Sequence, residues 1–219
     1  MRAWSGYDAW MDPNSLAQIT ARTLQHYGER ADAFWAGTHD HDVSQNIDAL
    51  LEHIEGDPPY RILDFGCGPG RDLKTLTERG HVAVGLDGAA RFCEMARAYS
   101  GCEVLHQDFL ALHLPAGRFD GIFANASLFH VPHAELPRVL GELRAALKPR
   151  GILFSSNPRG ADEEGWNQGR YGTYHRPESW LRHLREAGFE VVHSYYRPSG
   201  LPLAQQPWFA TVARAPTGD

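Results

Sequence analysis

Residues 62–70 read Ile-Leu-Asp-Phe-Gly-Cys-Gly-Pro-Gly, an apolar run that leads into glycines at 66, 68 and 70. Glycine takes positive φ and lets backbone amides come close to a ligand, so this spacing suits a turn built against one. A second apolar run, Val82–Leu86, ends on Asp87, 23 residues after Asp64. A glycine turn after one strand and an acid at the end of the next hold an adenosine-containing cofactor in parallel α/β sheets. Arg71 stands where a dinucleotide fingerprint would carry its third glycine. The Asp-x-Gly-x-Gly-x-Gly form points instead to S-adenosylmethionine (SAM).

The elements that would position these residues alternate as strand and helix. Strand-like runs fall at 61–65, 82–86, 103–106, 120–124 and 152–156, with helical segments at 71–79, 89–99 and 133–148 between them. Such alternation implies an α/β fold with a mostly parallel sheet and helices on both faces. Helix 178–187, ending at Gly188, then precedes strands at about 189–196 and 208–214, which predict a C-terminal antiparallel hairpin. Before the core, Leu16, Ile19, Thr23, Leu24 and Tyr27 follow helical spacing, as do Val43, Ile47, Leu50, Leu51 and Ile54. Residues 34–42 between them show neither period. Pro58-Pro59 divides an N-terminal helical extension, 1–58, from residues 59–219, within one structural domain overall.

Composition narrows the partners. The 219 residues carry 21 Lys and Arg against 27 Asp and Glu, a net charge of −6. That balance argues against nucleic acid, whose binding rests on phosphate neutralisation. No apolar stretch reaches membrane-spanning length, and Met1–Trp10 lacks the apolar core of a signal peptide. Cys67, Cys93 and Cys102 are odd in number and form no Cys-x-x-Cys, which suits a reducing cytoplasm. The expected partner is a small-molecule substrate, and no pattern in the chain fixes an oligomeric state.

Residues 60–156 resemble the class I SAM-dependent methyltransferases, a Rossmann-like family with a seven-stranded sheet. By that resemblance Asp64, Gly66, Cys67, Gly68 and Gly70 hold the methionine end of SAM, and Asp87 with Gly88 takes the ribose. Gln107, Asp108 and Phe109 follow the third strand, where the family contacts adenine. Asn125 to His130 follow the fourth, where methyl group and acceptor meet. Methyl transfer is an in-line displacement with a good leaving group, so the protein mainly orients the reactants and excludes water.

The outer segments are dense in aromatics, arginines and amides without a period: Ser155–Gly160, Glu164–His175 and Tyr195–Trp208. Such a mix suggests a polar pocket for a small charged molecule. These segments look like the methyltransferase domain of bacterial ovothiol-biosynthesis enzymes, here free-standing, which methylates an imidazole nitrogen of 5-thiohistidine. Lys148-Pro149-Arg150-Gly151 departs from the usual Lys-Pro-Gly-Gly. For such an acceptor, Arg159, Arg170 and Arg197 are candidates for the carboxylate, and Asn157 and Gln206 for the ammonium. Phe129, Trp166 and Trp208 are candidates to stack on the ring or face the sulfonium, Tyr171 is a candidate beside Tyr174 for the acceptor's proton, and Tyr196 is a further candidate for acceptor binding. Asn125, His130, Tyr174 and His175 are the groups expected to orient the acceptor or take its proton. The His39-Asp40-His41-Asp42 run invites a metal, but successive side chains point apart, so no metal is expected. A lid is the preferred reading, with Trp35, His41 and Gln45 touching cofactor or acceptor. The alternatives are a methyltransferase for another small thiol, amine or carboxylate, and a non-catalytic SAM-binding module.

Overall fold

The computed structural model describes residues 13–218, with side chains from Ser15 onward; the reading of Met1–Trp10 lies outside them. The sheet order is β3-β2-β1-β4-β5-β9-β8. Its strands are β1 (Arg61–Phe65), β2 (Val82–Asp87), β3 (Glu103–His106), β4 (Phe119–Asn125), β5 (Leu147–Pro158), β8 (Glu190–Arg197) and β9 (Trp208–Arg214). The first five run parallel; β9 is antiparallel to both β5 and β8. The seven-stranded sheet and its C-terminal antiparallel hairpin are thus as the sequence implies.

The apolar runs are continuous because each strand is covered on both sides. Neighbouring residues divide between two cores: Leu63, Val84, Ile122 and Leu153 face one layer, while Ile62, Ala83, Phe123 and Ile152 face the other. Helix α6 (Leu136–Ala146) and α7 (Pro177–Glu186) cover the first layer. Helices α3 (Ser44–Leu51), α4 (Arg71–Glu78) and α5 (Ala90–Ser100) cover the second. Pro137 lies in the first turn of α6, where its missing N–H costs least. Ile47 and Leu50 are fully buried, so α3 belongs to the core. The rest of the N-terminal extension is α1 (Pro13–Glu29) and α2 (Ala31–Thr38), which lie over the carboxyl ends of the strands.

Two elements differ from expectation. Half of the aperiodic segment 34–42 is helical, because α2 buries only Ala31 and turns Phe34 and Trp35 toward a cleft rather than a core. Residues 163–174 form a second, two-stranded sheet, β6 (Glu163–Asn167) and β7 (Arg170–Tyr174). Its two-residue turn places Gln168 and Gly169 at φ 50° and 87°, the primed geometry that matches strand twist. Arg150, the departure near the start of β5, takes a left-handed φ of 61° and pairs with Glu55, at the end of the strand away from the pockets. No helix of the described residues is long and apolar enough to cross a membrane.

Candidate functional site

Two adjoining pockets open at the carboxyl ends of β1, β2 and β4, where an open α/β sheet places its ligands. Tyr27, Phe34, Gly66, Gly68 and Ala126 line both. The first, about 700 Å³, runs between α1 and the loops after β2 and β3, with Asp87, Gly88, Asp108, Phe109 and Ser127 on its wall. The second, about 1570 Å³, takes in Trp35, His41, Cys67, Asn125, Phe129, Ser156, Arg170, Arg197 and Trp208.

The glycine turn leaves no room for side chains. A Cβ on Gly66 would lie 2.4 Å from that of Ser127, and one on Gly70 would lie 2.8 Å from the Ala96 backbone. Both residues also take positive φ, at 80° and 96°. Gly70 serves the packing of α4 on α5, while Gly66 and Gly68 form the wall between the pockets. Asp87 Oδ2 accepts from Gly68 N–H at 3.0 Å and Oδ1 from Ala89 N–H at 2.8 Å. Each oxygen keeps a lone pair for a ligand hydroxyl. Burial pushes the Asp87 carboxyl up to about 6, against the pull of the two backbone amides. Asp64 lies beneath the turn, 2% exposed. Burial, and then the neighbouring Asp72, hold its carboxyl well above the usual range, and Oδ2 is buried without a hydrogen-bond partner. An orphaned carboxylate oxygen under the turn, a pair of accepting lone pairs on Asp87 and a slot beside Phe109 fit the ammonium, ribose diol and adenine of SAM.

The other cofactor candidates divide. Gln107 spends its side-chain amide on the backbone of His113 and lines neither pocket, whereas Asp108 and Phe109 line the first. Cys67 lines the second, and burial raises the pKa of its thiol well above the ordinary value.

Between the pockets sits a hydrogen-bonded group that the sequence did not reveal. His130 Nδ1 donates to the Tyr171 carbonyl at 2.6 Å, which leaves Nε2 to accept the Tyr27 hydroxyl at 2.7 Å. Arg170 Nη1 donates to the same hydroxyl oxygen at 3.3 Å. Burial lowers the His130 pKa to about 4 and raises that of Tyr27, so both are neutral near pH 7. His130 therefore positions Tyr27, a residue that lines both pockets. A second chain of contacts ties the N-terminal helices to the strand ends. Tyr195 OH donates to Asn46 Oδ1 at 2.9 Å, and Asn46 Nδ2 donates to Asn125 Oδ1 at 2.9 Å. Arg71 grips Asp72 with two nitrogens and donates to the Thr38 carbonyl at 2.8 Å. Ala126, directly after β4, holds a left-handed φ of 61°, a costly conformation for a residue with a Cβ.

The acceptor candidates divide. Trp35, His41, Phe129, Arg170 and Arg197 line the second pocket. Arg159 does not: its Nη1 is spent on the Leu203 and Gln206 carbonyls, and it lies over the Tyr196 ring. Gln206 donates to the Pro198 carbonyl, and Tyr196 packs on Phe209. Gln45 is exposed one position from the inward-facing Asn46. Trp166 stands on the outer hairpin under Arg22. The Tyr171 ring is buried against Trp166; its backbone, not its side chain, serves the site. Asn157 is buried beyond the pocket wall. Tyr174 and His175 also lie outside both pockets. Tyr174 accepts from Asn167, and His175 packs with His133 and His183. In the His39–Asp42 run, His39 caps α2 through the Trp35 carbonyl and Asp42 accepts from Ser44 N–H, so two of its four side chains are engaged locally.

Comparison with known proteins agrees with this geometry. The sequence profile of the methyltransferase domain family matches residues 62–151. Trans-aconitate 2-methyltransferase of Azoarcus sp. is 39% identical over 118 residues, 52% of this chain and 45% of that protein. The enzyme of the same name from Enterobacter sp. is 32% identical over 67% of this chain and 57% of its own length. The chain spans about half the length of these curated relatives. Among solved structures, Burkholderia thailandensis 1,6-didemethyltoxoflavin-N1-methyltransferase, bound to 1,6-didemethyltoxoflavin and S-adenosylhomocysteine, superposes with a TM-score of 0.74. It is 21% identical, covering 96% of this chain and 93% of that one, so the likeness is one of fold. Residues 62–151 thus match a methyltransferase domain, and the chain has the Rossmann-like fold of its SAM-dependent structural neighbours.

Proposed function

We propose that the protein moves the methyl group of SAM onto a small carboxylate-bearing acceptor in the second pocket, and that this acceptor is 5-thiohistidine, methylated on an imidazole nitrogen. The observation that carries the carboxylate is the fate of the arginines. Arg71 is neutralised by Asp72, and Arg159 lies outside the pocket with its Nη1 on carbonyls; Arg170 and Arg197 line the pocket, and Nε of both Arg159 and Arg197 is buried without a hydrogen-bond partner. A guanidinium so placed suits a carboxylate fork. Trp35, Phe129 and Trp208 offer faces for a flat ring or a cation.

SAM supplies the electrophilic methyl and a neutral leaving group. The chain's own work is placement. Asp87 and the glycine turn fix the cofactor, Leu24, Tyr27 and Phe34 of α1 and α2 cover it, and Arg170 and Arg197 anchor the acceptor. Tyr27, its hydroxyl proton pledged to His130, presents an oxygen lone pair that can orient a ring N–H and leave the other ring nitrogen bare. Protonating His130 at pH 7 would work against a pKa of about 4, a gap of about 4 kcal/mol. The pair therefore orients the acceptor, and the product's extra proton leaves to water.

A second reading is esterification of a polycarboxylate, favoured by the trans-aconitate methyltransferases among the relatives; the same two arginines would serve it. A panel of 5-thiohistidine, histidine, cysteine and trans-aconitate with SAM, read by mass, separates the two. One methyl gained on 5-thiohistidine, located on a ring nitrogen by NMR, supports the proposal. Methylation of trans-aconitate alone replaces it. Retention of S-adenosylhomocysteine without turnover on any acceptor would favour a non-catalytic SAM-binding module.

A further inference from the structure

Away from both pockets, His133, His175 and His183 each bring a ring nitrogen to within 4.8 Å of the others. His133 opens a single helical turn shortly after His130, His175 follows β7, and His183 lies on α7. Their ring centroids stand 4.9, 5.1 and 5.6 Å apart. Tetrahedral coordination at a metal–nitrogen distance of about 2.0–2.1 Å sets the centroids of two imidazoles about 5 Å apart and their ligating nitrogens about 3.4 Å apart. The rings already have that spacing, and small rotations would close the nitrogens onto one centre.

Two further observations point to a ligand. His183 is 8% exposed, and its Nε2 is buried without a hydrogen-bond partner. A polar atom in that state costs free energy unless something completes it. Carboxylates stand behind two of the rings: Asp162 Oδ1 is 3.9 Å from His175 Nδ1, and Glu186 Oε2 is 3.8 Å from His183 Nδ1. Metal-bound imidazoles usually carry such a partner on the other nitrogen. Asp162 is itself fixed, accepting from Arg176 N–H at 2.9 Å and from the Ser179 hydroxyl at 3.0 Å.

We propose that His133, His175 and His183 bind one borderline-soft divalent ion of the zinc, cobalt or nickel type, with water as the fourth ligand. The ion would clamp three segments: the turn after His130, the exit of β7 and helix α7. His133 N–H already donates to Glu164 of β6 at 2.8 Å, so the clamp bears on the hairpin whose Tyr171 carbonyl holds His130. Its role is structural, raising the population of the assembled site in proportion to free metal.

The test uses the full chain without a polyhistidine tag, stripped with chelator and titrated with cobalt(II). The expected result is one equivalent bound with the visible bands of a tetrahedral ion, and a higher melting midpoint. His183→Gln and His175→Gln should each lower cobalt affinity at least about tenfold while keeping wild-type affinity for S-adenosylhomocysteine. His39→Gln, in the alternating run near the lid, should bind cobalt as before. X-ray absorption of the zinc-loaded wild-type protein needs no variant and should report three imidazole ligands. Fewer than three imidazoles, no stoichiometric cobalt uptake, or undiminished uptake by the triple His→Gln variant would each overturn the proposal.

Discussion

Replacing Asp87 by asparagine probes the cofactor site through one pair of atoms. Each carboxylate oxygen already accepts one backbone N–H, from Gly68 or Ala89, and has a lone pair left for a ribose hydroxyl. Hydrogen bonds to a charged acceptor contribute about 1.5–3 kcal/mol each, and neutral ones about 1. Asparagine keeps one neutral acceptor and turns its amide donors toward one of the backbone N–H groups. The loss is then about 2 kcal/mol or more, about thirtyfold in Kd for SAM or S-adenosylhomocysteine. A second signature comes from the carboxyl's pKa of about 6, raised from 3.8 by burial. The carboxylate is ionised above pH 7 and about one-tenth ionised at pH 5, so wild-type affinity should fall about tenfold between those points, and the variant's should not. Asp64, also raised by burial, titrates in both proteins and drops out of the comparison. For stability the sign is opposite. A folded pKa above the unfolded one gives a contribution present below about pH 4 and lost as pH rises through 6, about 3 kcal/mol in all. The variant is spared that burden at pH 7.5, which offsets its weaker bonds to Gly68 and Ala89. It should therefore bind far more weakly without melting much earlier. Calorimetric titration with S-adenosylhomocysteine at pH 7.5 and 5, with thermal melts alongside, reads all three. Affinity within about threefold of wild type, or a wild-type pH slope persisting in the variant, would refute the ribose assignment.

Tyr27→Phe removes the hydroxyl that His130 Nε2 accepts and that Arg170 meets. Turnover should fall at least about tenfold with S-adenosylhomocysteine affinity little changed, and stability should drop by about 1 kcal/mol on chemical denaturation. Since His130 protonates only near pH 4, kcat in the wild type should show no histidine-like step between pH 5.5 and about 7.5. Arg197→Met should raise the acceptor KM at least about tenfold, the worth of one charge-assisted contact, and leave cofactor affinity alone; a change in cofactor affinity would move Arg197 out of the acceptor role. Deleting residues 1–40 removes Leu24, Tyr27 and Phe34 from the pocket walls but spares α3. The truncated chain should fold, by circular dichroism, and lose turnover; full activity would end the reading of α1 and α2 as a lid.

The cofactor half of the site was legible because its determinants are local. Gly66 and Gly68 shape the backbone where they stand, and Asp87 is placed by ending a strand, so spacing along the chain is spacing in the sheet. Gln107 shows the limit of that logic: it occupies the right strand end, yet its amide closes the turn to His113. The acceptor half depends on where side chains point after packing, which spacing does not encode. Arg159, Arg170 and Arg197 read alike in sequence, but two line the pocket and the third meets carbonyls of residues 203 and 206. Tyr27 was hidden for the opposite reason: it sits in step with the helical apolar stripe of α1, where an aromatic reads as core. Asn46, one position from the exposed Gln45, is polar within a helix of apolar spacing, and its inward role comes only from its contacts to Asn125 and Tyr195. The hairpin at 163–174 left one usable sign, the Gln168-Gly169 pair between flanking polar–aromatic residues, whose positive φ values mark a primed turn. That hairpin carries Arg170 to the pocket, presents the Tyr171 carbonyl to His130 and sets His175 beside His133 and His183. A strand pairing missed in sequence thus accounts for Trp166, Tyr171, Tyr174 and His175 among the misplaced acceptor residues. Near this cleft, side-chain roles follow from how β6 and β7 seat against α1, through the Thr23 hydroxyl that accepts the Tyr171 N–H at 3.0 Å, more than from any motif.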